Sequence, residues 1–539
     1  MTTYDRLRWS GPVAPAVEPA DVYAALVRLD EPCFVVRGPG GLGVATGGEV
    51  GSYGDFGLVS AAAPMPPERL GSAQFQATYG LRYAYMSGAM ANGIASEEMV
   101  IAMAKAGFLG SFGAAGLLPE RIEKALQRFA REIPGLPFAA NLIHAPSEAR
   151  LERSGVELFL SAGVRCVEAS AYMDLTPHIV RYRLAGLSRG AGGAALAGNH
   201  VIAKISRPEV AERFMRPAPE SMVGKLLAAG DITAEQAELA RLVPVADDIT
   251  VEADSGGHTD RRPLPALLPV ILRLRDQIMR EHGYPTQVRV GVAGGIGTPE
   301  SACAAFVAGA DYIVTGSINQ SCVEADTSVQ AKALLAQAGI ADCEMAPAAD
   351  MFEMGVELQV LKRGTLFAMR AKQLYEIYRH YEGIDAIPAD VRTRIETQLF
   401  RRPLDQVWTE TVEYFERRDA SQIARAADNP KRKMALIFRW YLGMSSRWAK
   451  IGEADRLPDY QIWCGPAMGS FNNWVRGTYL AVPEHRQVVD VARHMMRGAA
   501  FHHRVAQLRA AGLALSAACA TYHPAPEDVP AGAQEWALR

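Results

Sequence analysis

Short apolar runs alternate with amphipathic stretches over the middle of the chain, from residue 83 to about residue 317. Eight of these runs have the length of buried strands: 83–88, 107–112, 137–142, 165–170, 201–206, 249–253, 288–293 and 311–316. Stretches with helical spacing of apolar residues lie between them, for example 96–106, 119–133 and 264–282. Strands that alternate with helices predict a parallel sheet, and eight such units predict a closed TIM (β/α)8 barrel, an α/β fold.

A doubly wound open sheet is the alternative for this pattern. The count of eight units and the absence of a GxGxxG motif after the first strand both disfavour it. The interval 207–246 is too long for a single crossover and holds further helical patterns, such as 232–243. We therefore expect a helical insertion between the fifth and sixth strands.

The two ends of the chain differ from the middle in composition and in the pattern of apolar residues. Residues 1–79 are rich in Gly, Pro and Ala, and they predict a small β subdomain whose Gly-rich run, 39–57, forms turns. That run has no GKS or GKT, so it is not a P-loop. After residue 347 helical patterns follow one another without strand alternation. The chain thus divides into a leader (1–79), a barrel (80–346) and a helical C-terminal substrate or lid domain (347–539), with a loose tail over its last 20 residues.

Aromatic and methionine side chains recur at helical spacing in the C-terminal region. They are Phe352, Met354, Phe367, Met369, Tyr375, Tyr378, Trp440, Tyr441 and Trp448. The simpler interpretation is the core of an all-helical domain. The alternative is that part of this set lines a groove for a long apolar substrate.

Composition narrows the class of protein. The 539 residues carry a formal net charge of −3 and 21% charged residues, which excludes wholesale disorder and disfavours a nucleic-acid binder. No apolar run approaches the roughly 18 residues needed to span a bilayer, and the first residues lack the apolar core of a signal peptide. The 7 cysteines are scattered and form no CxxC pair, which predicts no metal site and suits a reducing cytoplasm. We expect a cytoplasmic enzyme.

Two glycine-rich turns follow the last two predicted strands. Gly294 and Gly295 come after the seventh strand and lead into a helix at Thr298, while Gly316 and Ser317 come after the eighth. Glycine lets the backbone approach a ligand closely, and a helix N-terminus favours an anion. Turns after strands seven and eight form the usual phosphate site of these barrels, although tight turns alone would also need glycine.

Other chemically informative residues fall at the remaining strand ends. His258 follows Gly256 and Gly257 after strand six; a lone His is more often structural, but its place at a strand's carboxyl end favours a functional role. Lys204 lies in strand five, where it needs an anionic partner, and a buried ion pair is the alternative to a ligand. The remaining candidates are Ala89, Met90 and Asn141. Small residues, an amide, a lysine and a phosphate cradle together predict a flavin mononucleotide (FMN) site.

Several motifs resemble known flavoenzymes. The segments SGAMANGIASEEMVIAMAKAGFLGSFGA, PFAANLI, EADSGGHTD and VAGGIGTPESACAAFVAGADYIVTGS resemble the nitronate monooxygenase and enoyl reductase superfamily over about residues 80–340. A closer match runs through AKISRPEVAERFM, KRGTLFAMRAKQLYEIY and FNNWVRGTYL. These resemble the PfaD family, the stand-alone enoyl reductases of polyunsaturated fatty acid synthases and trans-acyltransferase polyketide synthases.

The resemblance implies bound FMN, NADPH as reductant and a 2-enoyl thioester carried by an acyl carrier protein. It implies that Ala89, Met90, Asn141 and Lys204 hold the flavin ring, that Gly256 and Gly257 pack beside it, and that Gly294, Gly295, Gly316 and Ser317 hold the phosphate. His258 stands where the superfamily keeps its active-site His. The sequence departs from the superfamily in reading DSGGH where nitronate enzymes read EAGGH, with Asp254 and Ser255 as the differences.

Three functions compete at this point. The leading one is a trans-acting enoyl reductase, with His258 as the candidate proton donor. The alternatives are a nitronate monooxygenase-type flavin oxygenase, which leaves the long C-terminal region unexplained, and a non-catalytic scaffold in a synthase. We expect acyl carrier proteins as partners and no nucleic acid or membrane, and a homo-oligomer is possible. The stretch 431–450 has six basic residues and no acid, so it is either a solvated helix face or a carrier-protein docking surface.

Overall fold

In the computed structural model, residues 7–144 and 149–526 are described. The β-strands of this part of the chain, in order, are β1 (Arg8–Ser10), β2 (Cys33–Gly38), β3 (Gly41–Thr46), β4 (Glu49–Gly51), β5 (Phe56–Ala62), β6 (Tyr85–Ser87), β7 (Leu109–Phe112), β8 (Ala139–Ile143), β9 (Cys166–Ser170), β10 (Leu187–Arg189), β11 (Ala195–Ala197), β12 (His200–Ile205), β13 (Asp248–Glu252), β14 (Gly257–His258), β15 (Arg289–Ala293), β16 (Ile313–Thr315), β17 (Cys343–Pro347) and β18 (Glu357–Leu361).

The α-helices of the same part of the chain are α1 (Pro19–Leu26), α2 (Ala73–Tyr79), α3 (Glu97–Lys105), α4 (Pro119–Glu132), α5 (Ala149–Ser161), α6 (Pro177–Ala185), α7 (Pro208–Met215), α8 (Glu220–Ala228), α9 (Ala234–Leu239), α10 (Leu264–His282), α11 (Pro299–Val307), α12 (Ser317–Gln320), α13 (Val329–Ala336), α14 (Phe367–His380), α15 (Ala389–Ile395), α16 (Leu404–Arg418), α17 (Ser421–Ala426), α18 (Pro430–Ile451), α19 (Ala467–Trp474), α20 (Val488–Ala510) and α21 (Ala517–Ala520). No helix among these is both long enough and apolar enough to cross a bilayer.

Eight parallel strands close into a barrel in the order β12-β13-β15-β16-β6-β7-β8-β9, so the predicted fold class is confirmed. Each of the eight predicted strands is present. The predicted helices α3 and α11 begin at N-caps, because Ser96 accepts the N–H of Met99 and Thr298 accepts the N–H of Ser301. The insertion after β12 contains α7, α8 and α9.

The amino-terminal end of the barrel is plugged by α2. Phe75 stacks on Tyr312 with ring centroids 4.1 Å apart. Below the plug, Arg289 donates to both carboxylate oxygens of Asp248, at 2.6 and 2.7 Å, and Tyr79 donates to the same carboxylate at 2.6 Å. These groups are buried, and they close this end against water.

The leader forms a five-stranded sheet in the order β3-β2-β5-β1-β4, as predicted for a small β subdomain. It is tied to the C-terminal helix α20 by Arg504, which is fully buried. The guanidinium of Arg504 donates to the backbone carbonyls of Leu26, Arg28, Leu29 and Glu31. Helix α20 also packs along α11 of the barrel. Residues 527–539, part of the predicted loose tail, lie outside the described residues.

One prediction for the C-terminal region is wrong: it is not free of strands. Residues 357–361 form β18, which pairs antiparallel with β17 and with the two-residue strand β14. The sequence ELQVL alternates polar and apolar residues with period two, but the helical patterns around it hid this short signal. Because β14 contains His258, the C-terminal region builds part of the barrel's active end.

The aromatic and methionine set divides between the core and a cavity wall. Phe352, Phe367 and Tyr441 are fully buried in the core, which confirms the simpler interpretation for them. Met354 and Trp440 instead line a cavity above the barrel. Helices α16 and α18 form the far wall of that cavity.

Candidate active site

Two connected spaces lie at the carboxyl end of the barrel. The larger has a volume of about 1190 Å³ and extends from the strand ends to helices α16 and α18. The smaller, about 80 Å³, lies between the loops that follow β15 and β16. Each of the eleven residues selected from the sequence lines one or both: Ala89, Met90, Asn141, Lys204, Gly256, Gly257, His258, Gly294, Gly295, Gly316 and Ser317. Their individual roles remain predictions.

The polar side chains at this end follow from the period of the strands. Ala139, Cys166 and Ile202 pack in the barrel interior. Side chains alternate along a strand, so the residues two positions later also face inward, one layer nearer the carboxyl end. Those residues are Asn141, Glu168 and Lys204. The same rule places Glu252 of β13 in this layer.

Lys204 lies close to the carboxylates of Glu252 and Glu168. Its Nζ lies 3.3 Å from Glu252 Oε1, so the ion pair that the sequence left open as an alternative is present. Burial opposes the charge on Lys204, but Glu252 and Glu168 together outweigh it and raise its pKa. Glu168 in turn accepts the backbone N–H of Ala89 at 2.8 Å. The layer therefore holds a permanent cation that borders both spaces.

Asn141 is oriented by its neighbours on β9. Its side-chain N–H groups donate to the carbonyl of Glu168 at 3.0 Å and to Ser170 Oγ at 2.6 Å. Among the described residues no group donates to the amide oxygen of Asn141, so this oxygen can accept a hydrogen bond from a ligand. Nearby on β7, the buried hydroxyl of Ser111 has no partner among the described residues.

The glycines of the two turns differ in their surroundings: one is packed against backbone and two face open space. Gly294 has φ +82°, and a Cβ there would meet the backbone carbon of Ala253 at 2.7 Å. Gly295 has φ +74°, and a Cβ at Gly295 or Gly316 would meet nothing within 4 Å, so both face open space. Within the described chain the N–H groups of Gly295, Ile296 and Ser317 have no acceptor. This is a cradle of backbone donors suited to an anion.

The hydroxyl of Ser317 contacts the backbone of the C-terminal region. Its Oγ accepts the backbone N–H of Gly465 at 3.0 Å, which leaves its own proton free to donate. Gly465 also lies against Gly256, because a Cβ on Gly465 would approach the backbone N of Gly256 to 2.7 Å. The segment at 464–465 thus joins the two predicted halves of the site.

The Gly-Gly-His loop is held from the C-terminal side. Gly256 has no room for a side chain, since a Cβ would meet Cys464 N at 2.8 Å. Gln359 of β18 donates to Asp254 Oδ1 at 2.8 Å and to the carbonyl of Ser255 at 2.7 Å. These contacts give Asp254, the departure from the nitronate pattern, a positioning role.

His258 forms a half-buried pair with Asp350. Its Nε2 lies 3.1 Å from Asp350 Oδ1, and its side chain is 30% exposed, towards the larger cavity. Burial disfavours the imidazolium, but Asp350 outweighs it and the pKa of His258 is raised above its usual value. Burial opposes the charge on Asp350 as well, yet His258 holds the pKa of that carboxyl below its usual range.

The residues present fit FMN. The open glycine cradle with unpaired N–H donors suits a phosphate, and Lys204 with the Asn141 amide suits the polar edge of an isoalloxazine ring. No group of metal-binding side chains occurs among residues 7–144 and 149–526.

Sequence reasoning missed several residues of the site, among them Glu168, Asp350, Gln359, Gly465 and Trp463, the last of which lines both spaces. Glu168 lies within a predicted strand, and the period-two register that places Lys204 inward would have identified it. Asp350 and Gln359 reach the Gly-Gly-His loop from 92 and 105 residues away along the chain. No local sequence pattern predicts contacts between residues so far apart along the chain.

The basic stretch at 431–450 is neither an open docking face nor a solvated one. Lys431 lies over the Tyr378 ring, Lys433 lies over the Trp408 ring, and Arg432 pairs with Glu353. Most of α18 is buried. Of the six basic residues of this stretch, only Arg447 is exposed.

Comparison with known proteins identifies the family. Residues 9–64 match the N-terminal domain of the fatty acid synthase subunit PfaD, and residues 381–460 match the inserted helical domain of acyl-carrier-protein S-malonyltransferase. The enoyl reductase domain of MlnA, from the macrolactin biosynthesis cluster of Bacillus amyloliquefaciens, is 40% identical and superimposes with a TM-score of 0.79, covering 83% of this chain and 100% of that one. The chain belongs to the PfaD-type enoyl reductases.

Curated relatives of this family are longer proteins. A polyunsaturated fatty acid synthase subunit of Thraustochytrium sp. is 47% identical over 93% of this chain, which spans 34% of that protein. The polyketide biosynthesis protein PksE of Bacillus subtilis is 46% identical over 80% of this chain, which spans 56% of that protein. The chain therefore corresponds to about a third to a half of these relatives.

Proposed function

We propose that this PfaD-type protein is an FMN-dependent, NADPH-consuming, trans-acting enoyl reductase. Its substrate is a 2-enoyl thioester on an acyl carrier protein of a polyketide or polyunsaturated fatty acid synthase. One observation carries the proposal: the anion cradle and Lys204 adjoin a cavity of about 1190 Å³ that has the His258–Asp350 pair on its wall. The names of the relatives, as fatty acid and polyketide synthase proteins, support the substrate class.

The residues of the cradle would hold the cofactor. The N–H groups of Gly295 and Ile296 would bind its phosphate, and the Ser317 hydroxyl, oriented by Gly465, would donate to the same group. Lys204, which lines the same space, would supply positive charge that stabilises negative charge on the reduced group. When bound, FMN supplies hydride chemistry between a nicotinamide and an enoyl thioester.

His258 supplies the proton in this scheme. Asp350 engages Nε2, so Nδ1 is the nitrogen from which a proton can pass into the cavity. Because the pKa of His258 is raised, the imidazolium persists to a higher pH than in a free histidine, and it can protonate the α-carbon of the substrate or hydrogen-bond its thioester oxygen.

The size of the cavity favours the reductase over a nitronate oxygenase. A small nitronate would leave most of 1190 Å³ empty, whereas an acyl chain on a carrier arm needs such a passage. The walls contributed by α16 and α18, which an oxygenase acting on a small substrate does not require, are built from the region 381–460.

Anaerobic mixing with NADPH and then with a crotonyl thioester on a carrier protein tests this function. We expect NADPH to bleach the flavin absorbance and the enoyl thioester to restore it. Restoration by oxygen and a nitronate but not by the enoyl thioester would replace the reductase with the oxygenase. A chain that binds no flavin, or is not bleached, would refute both.

A further inference from the structure

The wall of the larger cavity carries arginines in two different states. Arg207 is already paired with an acid, since its Nε and Nη2 lie 2.9 and 3.0 Å from the two carboxylate oxygens of Asp260. Arg261 and Arg447 are both exposed and line the same cavity. Within residues 7–144 and 149–526, neither of these two side chains forms an ion pair, a hydrogen bond or a ring contact with another residue.

Arg261 is held in its place by a strained backbone. Its φ is +48°, a left-handed conformation that costs a non-glycine residue about 1–2 kcal/mol. The residues just before Arg261 hold the turn: the N–H of Arg261 donates to Thr259 Oγ1 at 3.0 Å, and Asp260 is fixed by Ser206 and Arg207. Strain of this kind tends to persist where a side chain must be presented to a ligand.

Arg447 approaches the cavity from helix α18 rather than from the barrel. This part of α18 is pinned to the barrel, because Asn92 donates to Ser446 Oγ at 3.3 Å and Lys450 Nζ lies 2.5 Å from the carbonyl of Asn92. Two fixed elements therefore each present to the same cavity one guanidinium that has no counter-ion among the described residues.

A phosphate ester is the ligand chemistry that such guanidinium groups recognise. Their planar N–H donors match two phosphate oxygens at once, and an arginine with no internal acid retains its full charge for the ligand. Arg261 is three residues beyond His258, so its Cα lies within about 11 Å of that of His258, which leaves room for a spacer between a phosphate and the reacting carbon. The glycine cradle of the smaller space is separate, because Arg261 lines only the larger one.

We propose that Arg261 and Arg447 form a second phosphate site, which binds a phosphate ester of a reactant. The inference rests on the proposed function, because that function supplies the two possible sources. One is the phosphodiester that joins a phosphopantetheine arm to its carrier protein. The other is the 2′-phosphate of NADPH.

Calorimetric binding to the full chain, loaded with FMN, tests the site without turnover. The probes are two matched pairs that differ by one phosphate: 4′-phosphopantetheine against pantetheine, and NADP⁺ against NAD⁺. We expect the wild type to prefer the phosphate-bearing member of one pair by about tenfold to a hundredfold, as a charge-assisted hydrogen bond gives. Arg261→Gln and Arg447→Gln should each reduce that preference severalfold or more.

Two further variants keep the result interpretable. Arg261→Gly removes the guanidinium and relieves the backbone strain, so it should lose the preference without losing stability. Arg273→Gln removes an exposed arginine of α10 outside the cavity and should change neither pair.

The pattern of outcomes separates the sources. A preference confined to the first pair and lost in the variants assigns the site to the carrier arm, and one confined to the second pair assigns it to the nucleotide. No preference in either pair, or a preference that both variants retain, overturns the site. A wild type that binds the phosphate-bearing probe but fails to reduce an enoyl thioester refutes the proposed function and leaves the phosphate site standing.

Discussion

The two ends of the barrel both bury charged side chains, yet they do so with opposite consequences. At the amino-terminal end, Asp248 is saturated by Arg289 and Tyr79 under an aromatic plug. At the carboxyl end, Lys204 has one ion pair at 3.3 Å and borders open space. A charge whose partners are all internal contributes to the stability of the fold, whereas a charge beside a cavity is available to a ligand. The presence of a charged residue in a strand does not by itself show whether the charge stabilises the fold or binds a ligand.

The largest effect is expected at the amino-terminal end. Asp248→Asn leaves Arg289 buried without its counter-ion, which should lower the free energy of unfolding by about 3–5 kcal/mol. Chemical denaturation of the FMN-free protein measures it. The surface variant Asp385→Asn, which loosens a pair at 3.9 Å, should cost less than about 1 kcal/mol. If the two variants lost the same free energy of unfolding, the Asp248–Arg289 pair would have no special role in stability.

His258→Ala should change chemistry without changing the fold. Loss of a positioned general acid typically lowers the rate by about 10²–10⁴-fold, so reoxidation of the reduced enzyme by a crotonyl thioester should slow at least tenfold while flavin stays bound. Stopped-flow absorbance measures both quantities. His485→Ala, at a histidine exposed on the surface, is the matched control. Full activity in His258→Ala would exclude this residue as the proton donor.

Lys204→Met tests whether the carboxyl-end charge serves a ligand. We expect the Kd for FMN to rise by about tenfold to a hundredfold, as for a lost charged hydrogen bond, with a smaller loss of stability than in Asp248→Asn. Fluorescence titration of FMN measures the affinity. Lys372→Met, which removes a surface pair with Glu344, should leave FMN binding unchanged. If Lys204→Met kept its FMN affinity and lost as much stability as Asp248→Asn, the charge at the carboxyl end would serve the fold and not a ligand.

The pH dependence of the enoyl half-reaction should report the His258–Asp350 pair. Asp350 raises the pKa of His258, Glu252 adds to this effect and Lys204 opposes it. The proton donor is therefore charged below this raised pKa, and the rate should fall as pH rises through it. Asp350→Asn removes the main stabilising charge, so the falling limb should move to lower pH, and Asp350→Glu should restore it in part. Superimposable profiles would contradict the assignment.

The same pair links pH to stability, with a sign that can be checked separately. Because the folded pKa of His258 is raised, its stabilising contribution is complete below the unfolded value near 6.5 and is lost as pH rises through the folded value. Denaturation of wild type and Asp350→Asn across this window should converge at the high-pH end.

The smallest effect concerns backbone strain at the carboxyl end. Three of the four non-glycine residues with positive φ in the described chain line the larger cavity: Asn92, Ala171 and Arg261. Ala171→Gly relieves a φ of +61° and should raise the free energy of unfolding by up to about 1 kcal/mol. Ala171→Val should lower it. A fall in stability for the glycine variant would show that Ala171 is unstrained.

The sequence was sufficient wherever the determinant is local. Strand periodicity located the eight strands, and glycines with helix caps located the turns at Gly295 and Gly316. It was insufficient where the determinant is a distant partner: Asp350 at His258, Gln359 at the Gly-Gly-His loop, and Gly465 at Ser317. The helical region also hid β18, since a five-residue strand has too few positions to stand out among long helices.

The pairing of β14 with β18 affects the order in which parts of the site form during synthesis and folding. Gly257 and His258 acquire their sheet partners only from residues 358 and 359, and Gly256 acquires its close neighbour only from Cys464. Contacts of this sequence separation carry a large loop-closure cost and form late in folding. During synthesis the barrel strands are complete by residue 315, well before those partners emerge from the ribosome. A nascent chain can therefore close its barrel before the loop that carries His258 has its sheet partners.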